Sequence, residues 1–88
     1  EAMIAEAERM GLAPADARML CAQTCIGAGR MLAEGDVDAS ELRRRVTSPG
    51  GTTERAVAAF AEGGLDTLPR KAMQDCYDRS AELTTELA

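Results

Sequence analysis

Apolar and polar positions alternate with a helical period along almost the whole chain, and the breaks fall at glycine and proline. The opening "EAMIAEAERMG" has helical composition and then meets Gly11. Glycine suits the left-handed residue that ends a helix, and Pro14 suits the first turn of the next one. Because the chain starts at Glu1 without a methionine, this opening reads as the tail of a longer helix. From Pro14 to about Glu34, "PADARMLCAQTCIGAGRMLAE" predicts one long helix. Ala17, Leu20, Cys21, Thr24, Ala28, Met31 and Leu32 share its broad face, while Met19 and Ile26 fall on the other side. A helix apolar on two sides expects neighbours on two sides, which points to a dimer.

"GDVDAS", residues 35 to 40, interrupts the pattern, and "SELRRRV" predicts a short helix capped by Ser40 or Asp38. A Ser-Pro-Gly-Gly turn follows. The next helix is expected from about Thr53 to Glu62, stopped by Gly63 and Gly64, and the last from about Pro69 to Leu87. That final helix places Ala72, Met73, Cys76, Ser80, Leu83 and Leu87 on one face, and Asp75 and Arg79 are spaced to pair four apart. No strand or internal repeat is legible. The fold class is therefore all-α.

Composition narrows the function. With 88 residues and 45% hydrophobic content, the chain suits one small domain that buries only part of its apolar surface alone. Phe60 and Tyr77 are its only aromatic residues, so its core must come from small and medium aliphatics. A net charge of −5 and a pI near 4.6 argue against a nucleic-acid partner, since phosphate contacts need a positive surface and base stacking needs rings. No apolar run approaches the roughly 20 residues that span a bilayer, and no signal pattern precedes the first helix, so no membrane partner is expected. Cys21, Cys25 and Cys76 form an odd set without a CxxC pair, which fits free thiols in a reducing cytoplasm. The chain has no histidine, which leaves a zinc site only cysteines and carboxylates, and no metal is expected.

Some local features carry less than they promise. Gly27-Ala28-Gly29 echoes a dinucleotide fingerprint, but no strand precedes it and it lies inside a helix, where small residues serve close helix approach. Arg43 to Arg45 read as a solvated helix face, with anion attraction as the competing reading.

"RRRVTSPGGTTERAV", residues 43 to 57, departs most from the rest. Pro49 fixes a backbone angle, Gly50 and Gly51 permit conformations closed to other residues, and Thr52 or Thr53 can cap the helix that follows. The product is a tight loop aimed at a helix N-terminus, where free N–H groups and the helix dipole suit a carboxylate or phosphate. It is not a Walker loop, because the lysine after the last glycine is missing. Loop chemistry alone leaves two readings open: a capped turn without a ligand, or a small-anion site.

The stretch "ELRRRVTSPGGTTERAVAAF" resembles the signature of pyrroline-5-carboxylate reductase, the last enzyme of proline biosynthesis. The resemblance extends through "GLAPADARMLCAQTCIGAGRML" before it and "EGGLDTLPRKAMQDCYDRSAEL" after it, so it covers essentially the whole chain. Ala39 stands where a proline is common and Phe60-Ala61 where Leu-Glu is common, and Lys71 and Gln74 vary the last helix. These departures touch packing more than identity.

That resemblance implies a two-domain enzyme: an N-terminal Rossmann domain holding NADPH or NADH, and a C-terminal helical domain that dimerises and binds substrate. Residues 1–88 are similar to the second domain only, so no cofactor-binding residue is expected here. The implied substrate is pyrroline-5-carboxylate, reduced to L-proline in the cytoplasm by a homodimer that in some members builds a larger ring. Carried onto this chain, Ser48 and the backbone around Gly50, Gly51, Thr52 and Thr53 bind the substrate carboxylate. Thr53, with its hydroxyl near the ring nitrogen, is the catalytic residue. Reduction of a cyclic imine needs orientation more than a strong acid or base, so the absence of histidine is no obstacle. The alternative is a non-catalytic oligomerisation module whose glycine turn is structural.

Overall fold

The computed structural model describes residues 1–87, and within them it is all-α: α1 (Ala2–Arg9), α2 (Pro14–Glu34), α3 (Ala39–Arg45), α4 (Thr52–Glu62) and α5 (Leu68–Leu87). No described helix is long and apolar enough to cross a membrane. The chain divides into two compact units, the first spanning Glu1–Val46 and the second starting at Thr47.

In the first unit α1 packs against α2, and α2 against α3. The end of α1 is locked by backbone bonds alone. Leu12 N–H donates to Ala7 O at 3.1 Å and Gly11 N–H to Glu8 O at 3.0 Å, with Gly11 at φ 112°. These are the paired 6→1 and 5→2 bonds of a Schellman motif, which satisfy carbonyls that a helix end otherwise leaves open. The chain then doubles back, so that Ala2, Met3 and Ile4 of α1 share a groove with Cys21, Ala22 and Cys25 of α2. On the surface of α1, the Arg9 guanidinium holds the Glu6 carboxyl below its ordinary pKa.

The second contact of α2 comes from α3. Its N-cap is Asp38, whose Oδ1 accepts the Glu41 N–H at 2.9 Å. Of the two expected caps, Ser40 is thereby excluded; it lies inside the helix. Ala28 and Met31 of α2 form a groove with Leu42, Arg43 and Val46. Arg44 and Arg45 both pair with Glu41, the latter at 3.1 Å. The arginine run is therefore largely a solvated, internally paired face.

In the second unit, α4 closes with another Schellman pair: Leu65 N–H to Phe60 O at 3.0 Å and Gly64 N–H to Ala61 O at 3.2 Å. Gly64 takes φ 87°, and Thr67 Oγ1 donates back to its carbonyl at 2.9 Å. The last helix begins at Leu68, one residue before the expected Pro69, and α4 begins at Thr52 instead of Thr53. The expected Asp75–Arg79 pair does not form. Asp75 instead accepts from Lys71 at 2.9 Å, and Arg79 reaches forward to Glu82 at 2.9 Å and Glu86 at 3.2 Å. Three threonines, Thr24, Thr84 and Thr85, donate their hydroxyls to carbonyls four residues back.

Burial is sparse. Ala17, at 0% exposure, is the single fully buried residue among those described, while Met19, Leu20, Ile26, Met31 and Leu32 of α2 remain about half exposed. On α5, Met73 and Tyr77 are each 72% exposed. Both sides of α2 are thus open, as its two-sided apolar pattern predicts. Cys21 is half-buried, Cys25 and Cys76 are exposed, and all three are free thiols.

Two outcomes follow from this packing. Gly64→Ala forces a side chain into a left-handed backbone at about 1–2 kcal/mol, so its urea midpoint should fall, whereas Gly63→Ala at φ −78° should cost less. At micromolar concentration the folded chain should sediment as a dimer, and a well-folded monomer at equilibrium would contradict the two-sided role of α2.

Candidate functional site

The Ser48-Pro49-Gly50-Gly51 stretch folds as a β-turn. Gly51 N–H donates to Ser48 O at 2.9 Å, Pro49 occupies the first central position and Gly50, at φ 72°, the second. That is the type II pattern, which requires a positive φ at its second central residue and so favours glycine there. Gly51 then extends (φ −85°, ψ 177°) and becomes the N-cap of α4. A Cβ on Gly51 would lie 3.1 Å from Ser48 O and 3.5 Å from Ser48 Cβ, so the close approach of turn and helix start depends on its absence.

Neither Thr52 nor Thr53 caps α4. Helix N-caps sit outside the helical turn, and Thr52 and Thr53 are already its first two residues; the N-cap is Gly51, which supplies no side-chain cap bond. The expectation of a threonine cap is corrected by this one-residue shift. The N–H groups of Thr52, Thr53 and Glu54 lie in the first turn, where no intrahelical carbonyl can reach them, and they stand at the positive end of the α4 dipole.

The expected site residues are therefore brought together, with unequal availability. Ser48 and Gly50 are exposed, Gly51 and Thr53 half-buried, and Thr52 exposed. The Gly51 amide is already used by the turn, so the Thr52 and Thr53 amides, with the Ser48 and Thr53 hydroxyls, are the donors left to an anion.

One participant is absent from the motif as read. Glu54 Oε1 accepts the Gly50 N–H at 3.3 Å, tying the turn to the first turn of the helix. Its signal was in the sequence: a glutamate three residues after the N-cap has the spacing of a capping box.

Gly27 and Gly29 do not resemble a dinucleotide cradle. They sit inside α2, and no heavy atom lies within 4 Å of a Cβ built on either. Among the described residues there is no strand to precede such a fingerprint, so Gly27-Ala28-Gly29 is not one.

Comparison with known proteins converges on one family. The model of pyrroline-5-carboxylate reductase dimerisation matches residues 1–83. A pyrroline-5-carboxylate reductase of Pseudomonas aeruginosa is 42% identical over 87 residues, 99% of this chain and 32% of that protein. Another, from Corynebacterium melassecola, is 40% identical over 83 residues, 94% of this chain and 31% of that protein. Among solved structures, a pyrroline-5-carboxylate reductase from Coxiella burnetii superposes with a TM-score of 0.88 at 41% identity, covering 93% of this chain and 30% of that one. The chain spans about a third of the length of the curated relatives it matches. With the family model matching residues 1–83 and a solved reductase superposing over 93% of the chain, the chain belongs to the pyrroline-5-carboxylate reductase dimerisation family.

Proposed function

We propose that this chain is the C-terminal dimerisation and substrate-binding domain of an enzyme that reduces 1-pyrroline-5-carboxylate to L-proline with NADPH or NADH. The observation that carries the reading is the start of α4: a type II turn feeding a helix whose first amides have no side-chain cap, in a chain of this family. In this reading the dinucleotide is held mainly by a separate N-terminal Rossmann domain. Free thiols and the lack of a membrane-crossing helix among the described residues are in keeping with a cytoplasmic enzyme. The half-exposed apolar faces of α2 support a homodimer, on which a larger ring of dimers can be built.

The substrate is a five-membered cyclic imine with one carboxylate. Its carboxylate is received by the Ser48 hydroxyl and the Thr52 and Thr53 amides, which point along the α4 axis and stabilise negative charge without being consumed. With the carboxylate fixed, the ring has one remaining rotation, and the Thr53 hydroxyl removes it by hydrogen bonding at the ring nitrogen. Thr53 is half-buried at this helix start. The task of these residues is orientation, and orientation of bound partners supplies a large share of the rate in such reactions.

Two outcomes test the reading. In the complete reductase, Ser48→Ala and Thr53→Ala should each lower kcat/KM by about tenfold to a hundredfold, the worth of a hydrogen bond to a charged group. Because Thr53 does not cap α4, its melting temperature should barely change. Wild-type kinetics in both variants would leave the glycine turn a structural feature only. The purified 88-residue chain, by contrast, should show no NAD(P)H oxidation with pyrroline-5-carboxylate. Measurable turnover would overturn the assignment of the dinucleotide to another domain.

A further inference from the structure

The geometry points to Glu54 as a positioning residue that holds the Ser48–Gly51 turn in the shape required by the α4 site; this rests on the carboxylate-binding reading above. Within the turn, Pro49 has no N–H and the Gly51 amide is spent on Ser48 O. The Gly50 amide remains, and Glu54 Oε1 takes it at 3.3 Å. The bond spans the junction between turn and helix, so it fixes where Ser48 stands relative to the α4 axis. The N-cap itself, Gly51, has no side chain to do this instead.

A comparison within the same chain explains why Glu54 is available. Glu41 occupies the equivalent place in α3, three residues after the N-cap, yet its carboxylate pairs with Arg44 and Arg45, three and four residues on. The corresponding positions after Glu54 are Val57 and Ala58. They offer no cation, so the carboxylate turns back to the loop. An acidic side chain here also complements the helix dipole when the site is empty. Once a substrate carboxylate arrives, it becomes a like charge beside an anion. Glu54 thus has two separable effects: its oxygen shapes the turn, and its charge opposes binding.

The experiment is steady-state kinetics on the complete reductase with Glu54→Ala and Glu54→Gln, each at low and high ionic strength, beside thermal melts and Ser48→Ala. Glu54→Ala loses both effects, and its kcat/KM should lie roughly twofold to tenfold below that of Glu54→Gln, which also lacks the charge, the range of one ordinary hydrogen bond. Glu54→Gln keeps an acceptor oxygen. It should restore kcat/KM to the wild-type level or above, with KM below wild type at low salt and the gap closing as salt screens the charge. Equal kinetics in Glu54→Ala and Glu54→Gln, even with a lower melting temperature in Glu54→Ala, would overturn the proposal. If Ser48→Ala is also unimpaired, the carboxylate-site reading fails with it; if Ser48→Ala is impaired, only the role of Glu54 is lost.

Discussion

The structure depends on one shortage: the chain cannot cover its own apolar surface. Fully burying an aliphatic side chain is worth about 1.5–3 kcal/mol. Met19, Leu20, Ile26, Met31 and Leu32 of α2 are each about half exposed, so roughly 5 kcal/mol of burial is left unrealised on that helix alone. That is comparable with the whole stability of a small domain, roughly 5–15 kcal/mol. A partner surface that covers α2 in two chains at once offsets much of the translational and rotational cost of association. Covering α2 would recover that burial, which is in keeping with a family described by its dimerisation.

Against that shortage, the chain closes its helix ends locally. The α1 and α4 termini are satisfied by Schellman bonds at Gly11 and Gly64, α3 by Asp38, and the entry to α4 by the type II turn and Glu54. None of these needs a distant residue. The shape of the Ser48–Gly51 loop is accordingly set within a few residues, and a substrate site built on such a locally determined element keeps its geometry while larger surfaces are still being covered.

What was legible in the sequence follows the same division. Helix order and the stops at Gly11 and Gly63-Gly64 could be read because they rest on backbone rules that act over a few residues. The α4 cap was misread by one position: Thr52 and Thr53 are good capping residues, but the turn bond from Gly51 to Ser48 places the N-cap at Gly51 and puts both threonines inside the helix. Asp75 shows a second kind of ambiguity. It has Lys71 four residues before it and Arg79 four residues after it, and spacing allows either pair. The structure selects Lys71 because Arg79 is drawn to Glu82 and Glu86. Such choices depend on all neighbouring charges together, which a pairwise pattern does not contain. Glu54 had a legible spacing, but its role becomes visible only with the Gly50 amide opposite it.

Gly27 and Gly29 connect the site-free helix to the shortage of burial. Each glycine inside a helix costs about 1 kcal/mol relative to alanine, and nothing within this chain comes near enough to require the missing methyl group. A Cβ would fit at both positions with no atom within 4 Å. The cost is therefore unexplained by the chain's own packing and points outward. Small residues let two helix backbones approach closely, and close approach recovers dispersion contacts that long side chains would hold apart. On a helix flanked by half-exposed Ile26, Met31 and Leu32, the two glycines leave room for another backbone to approach.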